Sequence, residues 1–510
     1  MRKRATDWNR IVDPGRALAN SHTEMIGDWY RDPWGWPEID WAATRDQTLL
    51  LERLNGSGAH GVATIDVPKE NYSIRPAVVL DPLDRLVYQC LVDVHSSKLI
   101  GDLDPHVFGW RLRTKDPEPG IYSPNNKQWE FYRGHLGLLA AWFECGLKTD
   151  VVACFASLNV EAVIEGVYER AGSGVVSRRL EGMLKSWSRV ADRSGLPQRS
   201  LPSAVLANML LRGIDDRLLF HSVGVEIFGH RMRSFARWMD DIWIFGHDPG
   251  ELRKAQIEIQ SGLRTMGLHI NTGKTKLLEG DDLVSEALNI EHSAVDSALD
   301  QEPKDVEPLA QLIERVMTEK EEASRTSVRF ATDRMRAHAQ FQYVAPFMEQ
   351  AHRFPHAADA LARLFRDAGR AAQMEDWYVD YLAGPWGTID WAAAQFATMF
   401  SSAHSAGRDV RAALTERLSR GNAPLPMVAV AAQRLAAWSP ADARVVIGDA
   451  ANRSTDALRR RVLALAGLHA GCRRTEVRRW LREHEENAAT LALLENASFT
   501  ALPLKSDFEG

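Results

Sequence analysis

The sequence predicts an α+β region followed by an all-α region. Between about residues 66 and 280, segments rich in β-branched and aromatic residues alternate with segments of helical periodicity. Apolar runs on both sides of Asp240 and Asp241 predict a strand–turn–strand hairpin with an acidic tip. After about residue 300, helix-length blocks rich in Ala, Leu and Arg replace the strand signals. We therefore expect an antiparallel sheet carrying the acidic hairpin, followed by stacked helical pairs of HEAT-like type, although no clean repeat period is visible.

Composition narrows the class of protein. A chain of 510 residues should form two or more domains. The formal net charge of −6 means that any basic groove for a polyanion must be local. The four cysteines form no Cys-x-x-Cys pair, so neither disulfides nor a cysteine zinc site is expected, and a reducing cytoplasm fits best. No apolar run approaches the ~20 residues of a membrane span, so no membrane partner is expected.

Three regions are predicted along the chain. Residues 1–65 are rich in Trp and should form short helices that cap a neighbouring domain. Residues 66–290 hold the mixed strands and helices. The polar, acidic segment 291–307 marks a boundary, and residues 291–510 form the helical region.

The predicted elements are as follows. In addition to the two strands of the acidic hairpin, strands are expected at 77–80, 151–155 and 268–270. In the first two regions, helices are expected at 84–99, 129–145, 160–170, 178–192, 202–220 and 249–266. In the last region, helices are expected at 308–320, 355–368, 409–418, 426–437, 455–470 and 474–485.

The acidic tip indicates a metal site. Buried carboxylates are costly unless they are paired or bind a metal, and hard oxygen ligands suit Mg²⁺. Asp150, at the start of the predicted strand 151–155, offers a third carboxylate. Two Mg²⁺ ions ~4 Å apart could then activate an attacking 3′-hydroxyl and stabilise a leaving pyrophosphate. Taken alone, however, a carboxylate such as Asp150 is more often a solvated group at a strand edge.

Four segments, in order, resemble the palm motifs of reverse transcriptases. Residues 149–158 (TDVVACFASL) resemble motif A, and residues 195–203 (GLPQRSLPS) with 207–208 (AN) resemble motif B. Residues 237–241 (RWMDD) resemble motif C, and residues 267–276 (GLHINTGKTK) resemble motif D.

Upstream segments resemble the fingers motifs of bacterial reverse transcriptases. These segments are 68–69 (PK), 75–76 (RP), 84–87 (DRLV) and 108–111 (FGWR). The resemblance covers roughly residues 66–280, and its strength lies in the order and spacing of many motifs. It implies a right-hand polymerase with fingers and palm.

The resemblance implies a role for each matching residue. Asp150, the backbone carbonyl of Val151, Asp240 and Asp241 would hold two Mg²⁺ ions, with Mn²⁺ as a substitute. Lys274 would act as a general acid toward pyrophosphate.

Further residues would bind the nucleotide. Lys69 and Arg75 would approach the triphosphate, and Gln198 would line the nucleotide pocket together with Arg199. Phe155 would be the steric gate that favours dNTP over NTP. Without the resemblance, Phe155 reads as a core aromatic, Gln198 as a turn residue, and Lys69 as a surface charge, as does Lys274.

Two motifs depart from the family pattern. Arg199 stands where motif B usually has Gly, which allows close approach of the backbone to the nascent base pair. We hypothesise that this long cation restricts or replaces ordinary template pairing. In motif C, Trp238 and Met239 replace the usual Tyr and the common Ala.

The architecture resembles the abortive-infection and unknown-group reverse transcriptases of bacterial antiphage defence, in which such a core precedes a long helical region. This implies a DNA polymerase that uses dNTPs, works on or with a noncoding RNA or a protein primer, and makes a DNA product. The alternatives are a reverse transcriptase of a retroelement or housekeeping class, and a catalytically degenerate RNA-binding scaffold. The helical region could bind RNA, act as a thumb or form a homo-oligomer.

Overall fold

A computed structural model gives the fold of this chain. It describes residues 6–25, 27–113, 120–188, 195–302, 304–319 and 323–505. Within these ranges the protein is mixed α/β, with a mixed sheet and a helical C-terminal region. The elements are named in chain order.

The strands are β1 (Ala63–Pro68), β2 (Ile74–Val79), β3 (Val107–Phe108), β4 (Cys145–Asp150), β5 (Gly224–Ile227), β6 (His230–Arg233), β7 (Phe235–Trp238), β8 (Asp241–Gly246) and β9 (Lys276–Glu279). The first helices are α1 (Pro14–Met25), α2 (Pro37–Thr44), α3 (Thr48–Asn55), α4 (Pro82–Ile100), α5 (Asn125–Trp142), α6 (Cys154–Ser157), α7 (Val160–Ala171), α8 (Val175–Trp187), α9 (Leu201–Leu210), α10 (Arg212–His221), α11 (Pro249–Thr265), α12 (Gly280–Leu288) and α13 (Ile290–Gln301). The later helices are α14 (Glu307–Thr318), α15 (Arg325–Ala337), α16 (Val344–Glu349), α17 (Ala358–Asp367), α18 (Ala371–Ala383), α19 (Asp390–Ala397), α20 (Arg408–Ser419), α21 (Leu425–Trp438), α22 (Pro440–Arg453), α23 (Ala457–His469), α24 (Arg474–Arg482) and α25 (Ala488–Asn496). Short 3₁₀ helices lie at Trp8–Arg10, Phe341–Tyr343, Ala351–Arg353, Pro355–Ala357, Pro385–Thr388 and Glu485–Asn487.

The central sheet has five strands in the order β3-β7-β8-β4-β9. The predicted acidic hairpin is confirmed, because β7 and β8 pair antiparallel around a two-residue turn of Met239 and Asp240. The expectation of a wholly antiparallel sheet is wrong at one edge, where β3 pairs parallel with β7. Only two residues of β3 join the ladder, since the left-handed Gly109 and Trp110 follow at once and turn the chain away.

Helices cover both faces of this sheet. On one face, α5 and α12 pack on apolar side chains of β7 and β8, among them Ala236, Trp243 and Phe245. On the other face, α11 contacts β4 and β8. Because side chains alternate along each strand, Trp238, Asp241 and the ladder partner of Asp241, Asp150, lie on the α5 side of the sheet.

The chain divides into two compact units that are not continuous in sequence. Unit 1 consists of residues 1–28, 43–61 and 82–293 and contains the five-stranded sheet. Unit 2 consists of residues 29–42, 62–81 and 294–510 and contains the β1–β2 hairpin and the C-terminal helices. The domain boundaries predicted at 65/66 and 290/291 stay predictions.

Unit 2 holds an arginine buried among carboxylates. Arg461 is almost completely buried and donates hydrogen bonds to Asp32 (2.6 Å) and Glu38 (2.8 Å). Its guanidinium also lies 4.6 Å from the centre of the Trp36 ring. This cluster joins the segment 29–42 to α23 within the same unit.

The helices predicted after residue 300 are confirmed to within a few residues, as α14, α17, α20, α21, α23 and α24. The HEAT-like repeat stays a prediction. Of the helices that the structure describes, none is both long enough and apolar enough to cross a membrane.

Three predicted elements in unit 1 are wrong. The strand predicted at 151–155 does not form, because Ala153 adopts left-handed backbone (φ 45°) and α6 begins at the next residue. The strand β4, which ends at Asp150, was not predicted. Asp150 therefore closes β4 rather than opening a strand. The helix predicted at 202–220 is divided into α9 and α10 at Leu211. At 268–270 only the bridge between Ile270 and Val151 forms, and β9 was not predicted.

Candidate active site

Two of the three carboxylates predicted to bind metal lie opposite each other on neighbouring strands. In the β4–β8 ladder, Asp150 is the direct partner of Asp241, so their side chains leave the same face about 5 Å apart at Cβ. Asp240 lies beside them in the β7–β8 turn. Like charges directly opposite one another destabilise a sheet. Two ionised carboxylates at these positions would repel each other unless a proton or a cation lies between them.

The electrostatics of this group favour a cation. Burial, followed by the charges of Asp150 and Asp241, raises the pKa of Asp240 to about 7. Burial and the charge of Asp150 also raise the pKa of Asp241. Ionising Asp240 and Asp241 without a counter-ion is thus unfavourable, and a divalent cation would lower that cost.

The type of donor suits Mg²⁺, because the three carboxylates of this group offer hard oxygen atoms. Val151 directly follows Asp150 and is held by its bridge to Ile270, while the N–H of Val152 donates to the carbonyl of His269 (2.9 Å). The segment after β4 is therefore fixed at a defined position next to the carboxylates. The carbonyl of Val151 as a ligand stays a prediction.

Lys274 brings a positive charge to the site. Its Nζ lies 3.2 Å from Oδ2 of Asp150, and its side chain is 67% exposed. The loop that carries it is anchored on the same residue, since the N–H of Asn271 donates to the backbone carbonyl of Asp150 (2.7 Å). The N–H of Lys274 donates in turn to the carbonyl of Asn271 (3.0 Å). An exposed, anchored ammonium group can reach an incoming phosphate.

A buried arginine supports the acidic turn. Arg237 has no exposed surface and makes two hydrogen bonds to the carboxylate of Asp215 (2.6 and 2.8 Å). It also donates to Oδ1 of Asn208 (2.9 Å) and to the carbonyl of Met239 (2.8 Å), the residue before Asp240. Met239 has φ 56°, an unfavourable value for a residue with a side chain.

The Arg237 bonds therefore hold the turn in its strained conformation. The sequence reasoning missed this support. A charged residue inside an apolar strand was the available signal.

The segments predicted as motifs A and B are joined by their backbones. The N–H of Leu196 donates to the carbonyl of Phe155 (2.7 Å). A Cβ at Gly195 would lie 1.9 Å from that same carbonyl oxygen, so only glycine fits. Phe155 is half-buried in α6, and Gln198 is half-buried in the turn that precedes α9.

Arg199 occupies a backbone conformation that favours glycine. Its φ is 56°, and its side chain is exposed. One guanidinium nitrogen of Arg199 would lie 3.5 Å from a Cβ placed at Gly27. Burial raises the pKa of Asp28, and the positive charge of Arg199 opposes this rise in part. The side chain therefore extends toward the segment that follows α1.

Helix α1 supports the same loop. Glu24 accepts a hydrogen bond from the N–H of Leu201 (2.7 Å), the first residue of α9. Its other carboxylate oxygen accepts from Arg85 (2.7 Å), which also binds Asp28 (2.5 Å). The N-terminal segment is thus part of the structure that positions the Gln198–Arg199 turn.

Lys69 and Arg75 belong to the β1–β2 hairpin of unit 2. The N–H of Lys69 donates to the carbonyl of Ser73 (2.8 Å) and closes the hairpin turn. The guanidinium of Arg75 lies 5.1 Å from the centre of the Trp29 ring, within the same unit. Contact of these two cations with a triphosphate stays a prediction.

The acidic group, Lys274 and the Phe155–Arg199 region all lie in unit 1. Comparison of the sequence with known protein families and with curated proteins finds no match.

Proposed function

We propose that this protein is a Mg²⁺-dependent DNA polymerase of the reverse-transcriptase type. The observation that carries the proposal is the ladder pair of Asp150 and Asp241 with Asp240 in the adjoining turn. Three carboxylates at one sheet end, with Lys274 bound to one of them, suit two-metal phosphoryl transfer. The order of the four palm-like motifs in the sequence supports the same activity.

Each residue has a defined part in this proposal. Two Mg²⁺ ions bound by the carboxylates would activate the attacking 3′-hydroxyl and stabilise the leaving pyrophosphate. Arg237 keeps Asp240 at the end of its hairpin through the carbonyl of Met239. Lys274, exposed and next to Asp150, donates a proton to the pyrophosphate as it leaves.

Selection of the sugar is assigned to Phe155. Its backbone is fixed to the loop of Gly195 and Leu196, which limits how far the ring can retreat from a ribose 2′-hydroxyl. We expect the wild-type protein to prefer dNTP, and Phe155→Ala to incorporate NTP more readily. The ratio of the two incorporation rates measures this preference.

The template is proposed to be RNA, used in an unusual way. At the motif B position Arg199 combines a left-handed backbone with a long, exposed cation, where glycine would leave open space. We expect sequencing of products to show that Arg199→Gly changes their composition or length. Identical products from the two proteins would contradict a role of Arg199 in templating.

A direct test is to purify the protein with its bound nucleic acid, add each dNTP separately, and sequence both the RNA and the product. Wild type should incorporate dNTP in Mg²⁺ and in Mn²⁺, and Asp240→Ala should not. Asp216→Ala is the matched control, because Asp216 is an exposed carboxylate on α10 of the same unit.

Equal incorporation by wild type and Asp240→Ala would disprove the polymerase proposal. A role in antiphage defence, which the architecture suggests, predicts that cells carrying the wild-type gene survive phage challenge better than cells carrying Asp240→Ala.

A further inference from the structure

An exposed tryptophan of unit 1 lies on the catalytic face of the sheet. Trp129, on α5, is 43% exposed although it is one of the largest apolar side chains. Its ring meets Trp238 edge to face, with centroids 5.0 Å apart, and lies 5.3 Å from the ring of Tyr132. Tyr132 is itself buried and packs 5.6 Å from Trp238. The exposed ring is therefore held rigidly by two neighbours.

The Trp238 ring connects this tryptophan to the carboxylates. Trp238 is the direct ladder partner of Asp241, so both side chains leave the same face of the sheet. Gly109 packs against the ring of Trp238 and covers part of it, since a Cβ placed at Gly109 would lie 3.5 Å from Cε2 of that ring. Trp238 is half-buried and Tyr132 is buried, so Trp129 is the most exposed ring of the cluster.

The distances suit a nucleic-acid strand that ends at the carboxylates. Paired Cβ atoms lie about 5 Å apart, so the Trp129 ring is within about 15 Å of Asp241. Stacked nucleotides rise about 3.4 Å each, so this span corresponds to about four nucleotides. The charge of Asp241 contributes to a raised pKa of Tyr132, mainly due to burial, which is consistent with this proximity.

We propose that Trp129 forms a stacking site for a base of the primer strand, within about four nucleotides of the reacting 3′-hydroxyl. The proposal rests on the polymerase function proposed above. An aromatic ring stacks on any base, so the site would bind primers with little regard to sequence. It would hold a strand end even where template pairing is weak, as proposed for the Arg199 position.

The test uses the full-length protein and a single-stranded DNA 20-mer that carries 2-aminopurine at one of the last six positions, in Mg²⁺ without dNTP. Trp129→Ala should raise the Kd of this primer about 5- to 100-fold. It should also remove the fluorescence quenching at one position near the 3′ end. Trp129→Phe should keep most of both effects.

Trp142→Ala is the matched control, since Trp142 is 50% exposed at the end of the same helix. It should bind the primer as wild type does. In steady-state extension assays, Trp129→Ala should raise the KM for primer and leave kcat unchanged at saturating primer.

Equal Kd values for Trp129→Ala and Trp142→Ala would overturn the stacking site. So would a loss of kcat at saturating primer together with a lower Tm, because this would indicate a structural role. If wild type extends primers and Trp129→Ala does not change the KM for primer, the stacking site is disproved and the polymerase proposal is retained. If wild type binds the primer through Trp129 and incorporates no dNTP, the polymerase proposal is disproved and Trp129 remains a binding site for single-stranded DNA.

Discussion

Replacing Asp240 with asparagine should stabilise the metal-free protein while abolishing its activity. In the folded protein the pKa of Asp240 is raised from an ordinary 3.8 to about 7 by burial and by the charges of Asp150 and Asp241. A carboxyl whose folded pKa is raised contributes its full stability below the unfolded pKa. This contribution is lost as the pH rises from about 4 through 7. The amide that replaces the carboxyl in Asp240→Asn carries no charge, so the variant should not lose this stability.

The size of the effect follows from the pKa. The rise of the Asp240 pKa from 3.8 to about 7 corresponds to about 4 kcal/mol of folding free energy, because a change of one in pKa is worth about 1.36 kcal/mol. Asp240 is partly exposed, and solvent reduces the repulsion, so we expect a gain of about 2–4 kcal/mol above pH 7. At pH 5 the gain should be smaller, because much of Asp240 is then protonated in the folded wild type.

The assay is urea-dependent hydrogen exchange of peptides from β4 and β8, in EDTA at pH 5 and pH 8. Asp216→Asn, the exposed control, should change stability by no more than about 0.5 kcal/mol. Adding Mg²⁺ should stabilise wild type and not Asp240→Asn. The reasoning is refuted if Asp240→Asn is no more stable than wild type in EDTA at pH 8.

Three further predictions concern side chains and backbone that support the two units. Arg237→Met should destabilise unit 1 by about 3–5 kcal/mol, because it leaves the Asp215 carboxylate buried without its partner, and the double variant with Asp215→Asn should recover part of this loss in urea unfolding. Gly195→Ala should cost about 1–3 kcal/mol and lower kcat, since the added methyl would meet the carbonyl of Phe155 at 1.9 Å, and an unchanged melting curve would contradict this. Arg461→Met should destabilise unit 2 by about 3–5 kcal/mol, measured by hydrogen exchange of α23, with exchange in β8 unaffected.

The acidic hairpin could be predicted from sequence because its signal is local. Asp240 and Asp241 interrupt an apolar run, and a two-residue turn joins the flanking strands. The strand β4, which ends at Asp150, was not predicted, since its sequence CGLKTD is neither apolar nor alternating. Its stability comes from tertiary partners. Lys148, for example, contacts Glu286 at 2.6 Å and the Trp243 ring at 5.4 Å.

The support beneath the site could not be predicted for a related reason. The side-chain partners of Arg237 lie earlier in the chain, Asp215 by 22 residues on α10 and Asn208 by 29 residues on α9. Only the packing of these helices against the sheet brings Asp215 and Asn208 to the guanidinium. The helices after residue 300 were predicted well, because helical periodicity and Gly or Pro boundaries are properties of the local sequence.

The division of unit 2 along the chain has a consequence during protein synthesis. Residues 29–42 and 62–81 leave the ribosome long before the segment 294–510 with which they pack. Arg461 follows Asp32 and Glu38 by 429 and 423 residues. At a synthesis rate of roughly 5–20 residues per second, Arg461 is added to the chain about 20–90 s after these two carboxylates. Unit 2 therefore cannot complete its packing until α23 has been synthesised, although its first segments are made near the start of the chain.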